Sequence, residues 1–441
     1  MTDPISKSNC LIHLGKSIEI GAPPSNISQG INFGVCDVTK NCFQKKAELF
    51  FSIRKMATFV VFKENPMKNI QMVDVKGQYS KIKEEVNTSV LEVIQSGAFI
   101  NGPAVKSFQH NLEKYLGAKY VIPCGNGTDA LQIALMALGL QPGDEVIVPA
   151  FTYVATAEVI ALLHLIPVMV DVDPGTFNLT PDILEAAITP KTKAVVPVHL
   201  FGQSCDMEGI MQVAEKHGLF VVEDNAQAIG ADYTFSDGSV KKTGVIGHIG
   251  CTSFYPSKNL GAFGDGGAIF TQDEALAKKL RMMANHGQSV RYYHDEIGVN
   301  SRLDAIQAAI LDIKLKHLDE YARARQSAAA FYDRAFEGIA GIITPKRQYN
   351  STHVFHQYTL LLKGKDRAEF QKALSAKGVP SMIYYPVPLY EQKAYAGVFS
   401  GGVDFLPVTD SLCREVVSLP IHTEMTEELL QYISNTVIEV L

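Results

Sequence analysis

Leu219-Phe220-Val221-Val222-Glu223-Asp224 is an apolar run closed by two carboxylates. Its length suits a strand, and its near-continuous apolar content suits a strand buried on both faces, as in a parallel sheet. The same kind of run recurs on either side. Residues 120–123, 145–148, 167–172 and 193–198 read as strands, and an apolar strand at 268–271 follows later. Between the strands, residues 130–138, 152–163, 181–187 and 207–216 carry a helical period. Strands that alternate with helices predict an α/β fold with a mostly parallel sheet. Two amphipathic helices precede it: 78–96, through Ile82, Val86, Val90, Leu91 and Ile94, and one through Val105, Phe108, Leu112 and Tyr115 that stops at Gly117. A long helical run covers residues 303 to 337. The last stretch mixes strand 357–362 with helices 367–377 and 426–440, which predicts a smaller C-terminal α+β domain.

The bulk properties set bounds on this reading. A chain of 441 residues exceeds one typical domain, so a large domain (67–320) and a small one (321–441) are expected. The net charge of −6 gives no general attraction to nucleic acid or to an anionic membrane. No apolar run reaches the ~20 residues of a membrane-spanning helix. The seven cysteines have no zinc-type or CxxC spacing, so no metal site is expected, and reduced thiols in a cytoplasmic protein are the plain reading. Residues 1–66 differ in character. They hold three of those cysteines and no clear period, and Met67 looks like a natural start. They are expected to be a poorly ordered extension or a mis-assigned start, with a small partner-binding module as the competing idea.

Four stretches carry candidate chemistry. Ser253-Phe254-Tyr255-Pro256-Ser257-Lys258 places a lysine among small and aromatic residues, with no further charge until Asp265. Such an amine suits imine formation with an aldehyde, although a turn lysine is equally compatible with the stretch alone. Gly125-Asn126-Gly127-Thr128-Asp129 joins a strand to a helix, and its backbone N–H groups suit a phosphate. It matches neither the P-loop nor the dinucleotide pattern. Asp224 closes a strand, where open α/β sheets bind ligands, and its carboxylate can pair with a pyridinium nitrogen. Capping of the next helix is the alternative role. Tyr153, in Ala150-Phe151-Thr152-Tyr153-Val154-Ala155-Thr156, can stack on a flat ring or serve as a core aromatic. Together these residues point to pyridoxal 5'-phosphate: an imine lysine, a pyridinium partner, a phosphate cup and a stacking ring.

The ordered motifs, which include Gly264-Asp265-Gly266-Gly267 and Asn300-Ser301-Arg302-Leu303-Asp304, resemble the DegT/DnrJ/EryC1/StrS family of pyridoxal-phosphate-dependent nucleotide-sugar aminotransferases over residues 67–441. The resemblance implies fold type I, with a seven-stranded, mostly parallel sheet between helices. It implies that Lys258 forms the imine, Asp224 holds the pyridine nitrogen, and Gly127, Thr128 and Ser253 bind phosphate. Tyr153 would stack on the ring, and Gln227 would lie near its hydroxyl. Asn300 would reach the phosphate from a partner subunit, so a homodimer with shared sites is implied. The substrates implied are L-glutamate and a keto-sugar nucleotide, for lipopolysaccharide or other surface-polysaccharide precursors. The stretch His286–His294 points within the family to enzymes acting on 3-oxo-glucuronate sugars, with Arg302 suited to a sugar carboxylate. Tyr384 and Tyr385 are further substrate candidates, Tyr384 standing where histidine is expected. A 4-oxo-sugar acceptor, or a cofactor-binding regulator without turnover, remains as the alternative.

Overall fold

The computed structural model describes residues 70–398 and 406–441. The expectation for residues 1–66 lies outside the described residues. In chain order the elements begin with α1 (Val75–Ser96), α2 (Pro103–Leu116), β1 (Tyr120–Cys124), α3 (Gly127–Ala137) and β2 (Glu145–Pro149). Then come α4 (Ala155–Leu162), β3 (Ile166–Val170), α5 (Pro181–Ala186), β4 (Thr192–Val195), α6 (Met207–His217) and β5 (Phe220–Asp224). A small hairpin, β6 (Asp232–Thr234) and β7 (Val240–Lys242), leads to β8 (Ile249–Ser253), β9 (Gly267–Thr271) and α7 (Glu274–Met283). A second hairpin, β10 (Gln288–Val290) and β11 (Tyr293–His294), precedes α8 (Ala305–Leu315) and α9 (Leu318–Phe336). The chain closes with β12 (Ile342–Ile343), β13 (Tyr358–Leu362), α10 (Arg367–Ala376), α11 (Pro407–Glu415), β14 (Val416–Leu419) and α12 (Glu427–Glu439).

Seven strands form the central sheet in the order β1-β9-β8-β5-β4-β2-β3. β9 runs antiparallel to both its neighbours, and the other four pairings are parallel. The side-chain period of two sorts residues between the layers. Val146, Val148 and Val222 join the core built with α3, α4 and α7, while Ile147 and Val221 face the core under α5 and α6. Phe108, Leu112, Phe254 and Phe270 pack a further core with α2 and α8. Burying each such side chain contributes about 1.5–3 kcal/mol. β12, β13 and β14 form a separate antiparallel sheet, whose core includes Tyr332, Phe370, Leu430 and Ile433.

The two small hairpins, β12, α11 and β14 were not expected, and two further details also differ from expectation. The run 303–337 is two helices, broken at Lys316 and His317. Neither residue is a helix breaker. Leu315 before the break and Leu318 after it both pack in the core of Ala308 and Leu311, and α9 goes on into that of Ala328 and Tyr332. β8 was not expected as a strand, because Gly250, Cys251 and Thr252 interrupt its apolar pattern, and pairing with β5 and β9 holds it extended. Among the described residues no helix is long and apolar enough to cross a membrane.

Candidate active site

Sheet register collects the candidate residues on one edge. Cys124 and Ser253 both pair with Gly267, and Asp224 pairs with Cys251, so the carboxyl ends of β1, β8 and β5 stand in a row. Helix α3 starts directly on these ends. A Cβ on Gly127 would lie 2.6 Å from Ser253 Cβ, and one on Gly267 would lie 2.4 Å from the Asn126 carbonyl. Asn126 caps α3 by accepting from the Asp129 N–H at 2.8 Å. The Gly127 and Thr128 N–H groups open the helix and need acceptors from outside it.

The two carboxylates that end β5 have separate fates. Glu223 is sealed in the protein. It accepts from the N–H groups of Gly244 (2.8 Å), Ile246 (2.7 Å) and Gly247 (2.6 Å). His199 Nε2 lies 2.8 Å away, and because His199 Nδ1 accepts from the Cys205 N–H, Nε2 carries the proton and donates to Glu223. Among the described residues, Asp224 accepts from Thr156 Oγ1 (2.9 Å) and the Ala226 N–H (3.2 Å). A carboxylate offers about four acceptor sites, so Asp224 keeps capacity for a further donor. Burial pushes its carboxyl above the ordinary value, opposed by those two hydrogen bonds and by the positive charge of Lys258.

Lys258 sits in the loop from β8 to β9. The Phe254 N–H donates to the Gly266 carbonyl and the Ala262 N–H to the Phe254 carbonyl, both at 2.7 Å. Its amine has no hydrogen-bond partner among the described residues. Although the residue as a whole is half-buried, the protein around its ammonium lowers the pKa to about 8, with the Asp224 carboxylate pulling the other way.

Gln227 accepts from the Phe201 N–H at 2.8 Å and donates to the Tyr385 hydroxyl at 3.1 Å. The Tyr385 ring lies 6.2 Å from that of Tyr153 and 6.1 Å from that of Tyr384. Tyr153 is 56% exposed, so it is not the core aromatic of the bland reading and has ring surface to offer a ligand. Ser301 knits the next segment to the cup: its hydroxyl accepts from the Gly125 N–H at 2.8 Å and donates to Asp129 at 2.6 Å. Its neighbours differ, Asn300 being exposed and Arg302 half-buried. Thr156, Asp129 and Ser301 were not singled out as site residues. Each lies inside a quoted motif, but only the fold brings their hydroxyl and carboxylate groups to Asp224 and to the glycine turn.

The sequence profile of the DegT/DnrJ/EryC1/StrS aminotransferase family matches residues 80–438. The chain belongs to this family. A UDP-2-acetamido-2-deoxy-3-oxo-D-glucuronate aminotransferase of Pseudomonas aeruginosa is 48% identical over 353 residues, 80% of this chain and 95% of that protein. A pleiotropic regulatory protein of Geobacillus stearothermophilus is 46% identical over 374 residues, 84% of this chain and 98% of that one. Among solved structures, S. venezuelae DesV in complex with a ketimine intermediate superposes with a TM-score of 0.80 at 38% identity, over 84% of this chain and 98% of the other.

In this aminotransferase the contact of Gly127 with Ser253 leads to a test. Gly127→Ala places a methyl group 2.6 Å from Ser253 Cβ, which has no flexible end to yield. Overpacking of this kind costs about 1–3 kcal/mol, so the urea midpoint falls. An unchanged midpoint would show that helix and strand can separate freely.

Proposed function

We propose that this aminotransferase moves the amino group of L-glutamate to a keto-sugar nucleotide, using pyridoxal 5'-phosphate. The acceptor is a UDP-3-oxo sugar of the glucuronate type, made in the cytoplasm as a precursor of lipopolysaccharide or another surface polysaccharide. The observation that carries the reading is the electrostatic coupling of Lys258, an amine with no hydrogen-bond partner among the described residues, to Asp224, a buried carboxylate with unused acceptor capacity.

The residues fit the cofactor. The open N–H groups of Gly127 and Thr128, with the Ser253 hydroxyl beside them, would hold its phosphate. Asp224 would hold its ring nitrogen, Gln227 would lie near its hydroxyl, and Tyr153 would cover a face of the ring. When bound, pyridoxal phosphate supplies an aldehyde that condenses with amines and a ring that takes up electrons. Thr156 and the Ala226 N–H orient Asp224 for this role. Lys258, held near pKa 8, is readily neutral and moves the proton at the α-carbon of the amino acid. The exposed Asn300 serves a second copy of the chain, which makes the enzyme a homodimer with shared sites. Arg302 binds the sugar carboxylate, and Tyr384 and Tyr385 line the sugar pocket. The division into a large part, 67–320, and a small part, 321–441, belongs to the same reading.

One observation leaves room for a second acceptor. Tyr384 stands where histidine was expected, so the acceptor can differ from the 3-oxo acid, and a 4-oxo sugar is the alternative. A panel of 3-oxo and 4-oxo sugar nucleotides, assayed with glutamate for release of 2-oxoglutarate, decides between them. The 3-oxo-glucuronate acceptor is expected to exceed the others by at least about tenfold in kcat/KM. Preference for a 4-oxo sugar overturns the acceptor, and no turnover with any of them favours a regulator.

A further inference from the structure

Lys314, on α8, is 1% exposed. Its ammonium donates to the carbonyl of Gly261, three residues beyond Lys258, and lies 5.4 Å from the centre of the Phe263 ring. It pairs with no carboxylate among the described residues. Burial lowers its pKa to about 8, and nearby Arg325 pushes the same way. An ammonium buried without a counter-charge is costly, and methionine would fill a similar volume without that penalty. Packing alone therefore does not account for a lysine here.

The segment facing the loop is held in the same manner. Arg325, 3% exposed, donates to the carbonyls of Phe355 (3.0 Å), His356 (3.4 Å) and Ile421 (2.9 Å). Asn259, the residue after Lys258, staples the two segments together by donating to the Val354 carbonyl at 2.8 Å. The loop has little slack of its own. A Cβ on Gly261 would lie 2.4 Å from the Pro256 carbonyl, so a shift at Gly261 passes directly to the turn that bears Lys258.

We propose that Lys314 is a positioning residue for Lys258: by holding the Gly261 carbonyl, it sets where the Lys258 amine stands over the cofactor cradle. The proposal rests on the reading of Lys258 as the cofactor lysine. A purely structural Lys314 would affect melting and little else.

The test compares Lys314→Met, which removes the donor, with Lys314→Gln, which keeps a shorter neutral one. Three quantities are read on the full chain besides Tm: the pH midpoint of the visible band formed with pyridoxal phosphate, the rate at which that band returns when cofactor is added to stripped protein, and the separate values of kcat and KM. In Lys314→Met the midpoint is expected to move by at least about half a pH unit. Band return and kcat are expected to slow about tenfold with KM near wild type, as a misplaced reacting group predicts. Lys314→Gln falls between methionine and wild type. A wild-type midpoint and return rate in Lys314→Met overturn the proposal, whatever happens to Tm. If that variant does not fold, Lys314→Gln decides: an intermediate shift supports the proposal, and wild-type values overturn it. Absence of any band in the unaltered protein would instead overturn the underlying reading of Lys258.

Discussion

Lys258→Ala is expected to lower turnover by at least about 10⁴-fold, because on the proposed reading one substitution removes both the covalent attachment and the base. The visible band near ~420 nm expected of a protonated pyridoxal imine should vanish with it. Folding should survive. The ammonium is disfavoured by its surroundings and makes no hydrogen bond among the described residues, so its loss leaves no partner stranded. The two readouts separate the possible explanations. Lost turnover with a retained band would mean that another amine carries the cofactor, and Lys258 would be excluded from the imine. Lost turnover with a lost melting transition would mean that the variant had simply unfolded.

Asp224→Asn should cost about 10³-fold in turnover, the size of losing one electrostatic partner in an enclosed site. The amide oxygen can still accept from the Ala226 N–H while its NH2 group donates to Thr156 Oγ1, so geometry near the strand end survives while the negative charge goes. On the proposed reading, the ring nitrogen of the bound cofactor then loses the partner that keeps it protonated. Because burial raises the Asp224 carboxyl above its ordinary value, the charge is held against a penalty, and the neutral asparagine should leave the melting temperature equal or higher. Turnover within about tenfold of wild type would reduce Asp224 to a structural cap. Measured beside Lys258→Ala, this variant separates attachment of the cofactor, which should persist, from its activation.

Much of this was legible in the sequence, for physical reasons that differ from element to element. β5 could be read because a strand covered on both faces must be apolar along its length. β8 could not, because it is extended through its partners and carries glycine, cysteine and threonine. The break between α8 and α9 left no mark, since Lys316 and His317 suit a helix. Composition could not separate Glu223 from Asp224 either. The alternation of a strand turns one toward the N–H groups of Gly244, Ile246 and Gly247, and leaves the other facing Thr156. Ser301 lay in a quoted motif yet drew no attention, because its partners Gly125 and Asp129 are distant in sequence and meet it only in the folded chain.

Within the central sheet, the antiparallel strand β9 has a kinetic meaning. β8 enters the loop that bears Lys258 and β9 leaves it, with Ser253 and Gly267 paired across its mouth. The loop is thus a closed tether, and its amine, once displaced from a bound group, stays beside the place it left. Well-oriented groups held this way behave as though present at effective molarities on the order of 10⁵ M or more. A free amine added from solution at ordinary concentrations cannot match that. If Lys258 is the nucleophile proposed above, the closed tether lets the site part from it during each cycle and recover it without waiting on diffusion.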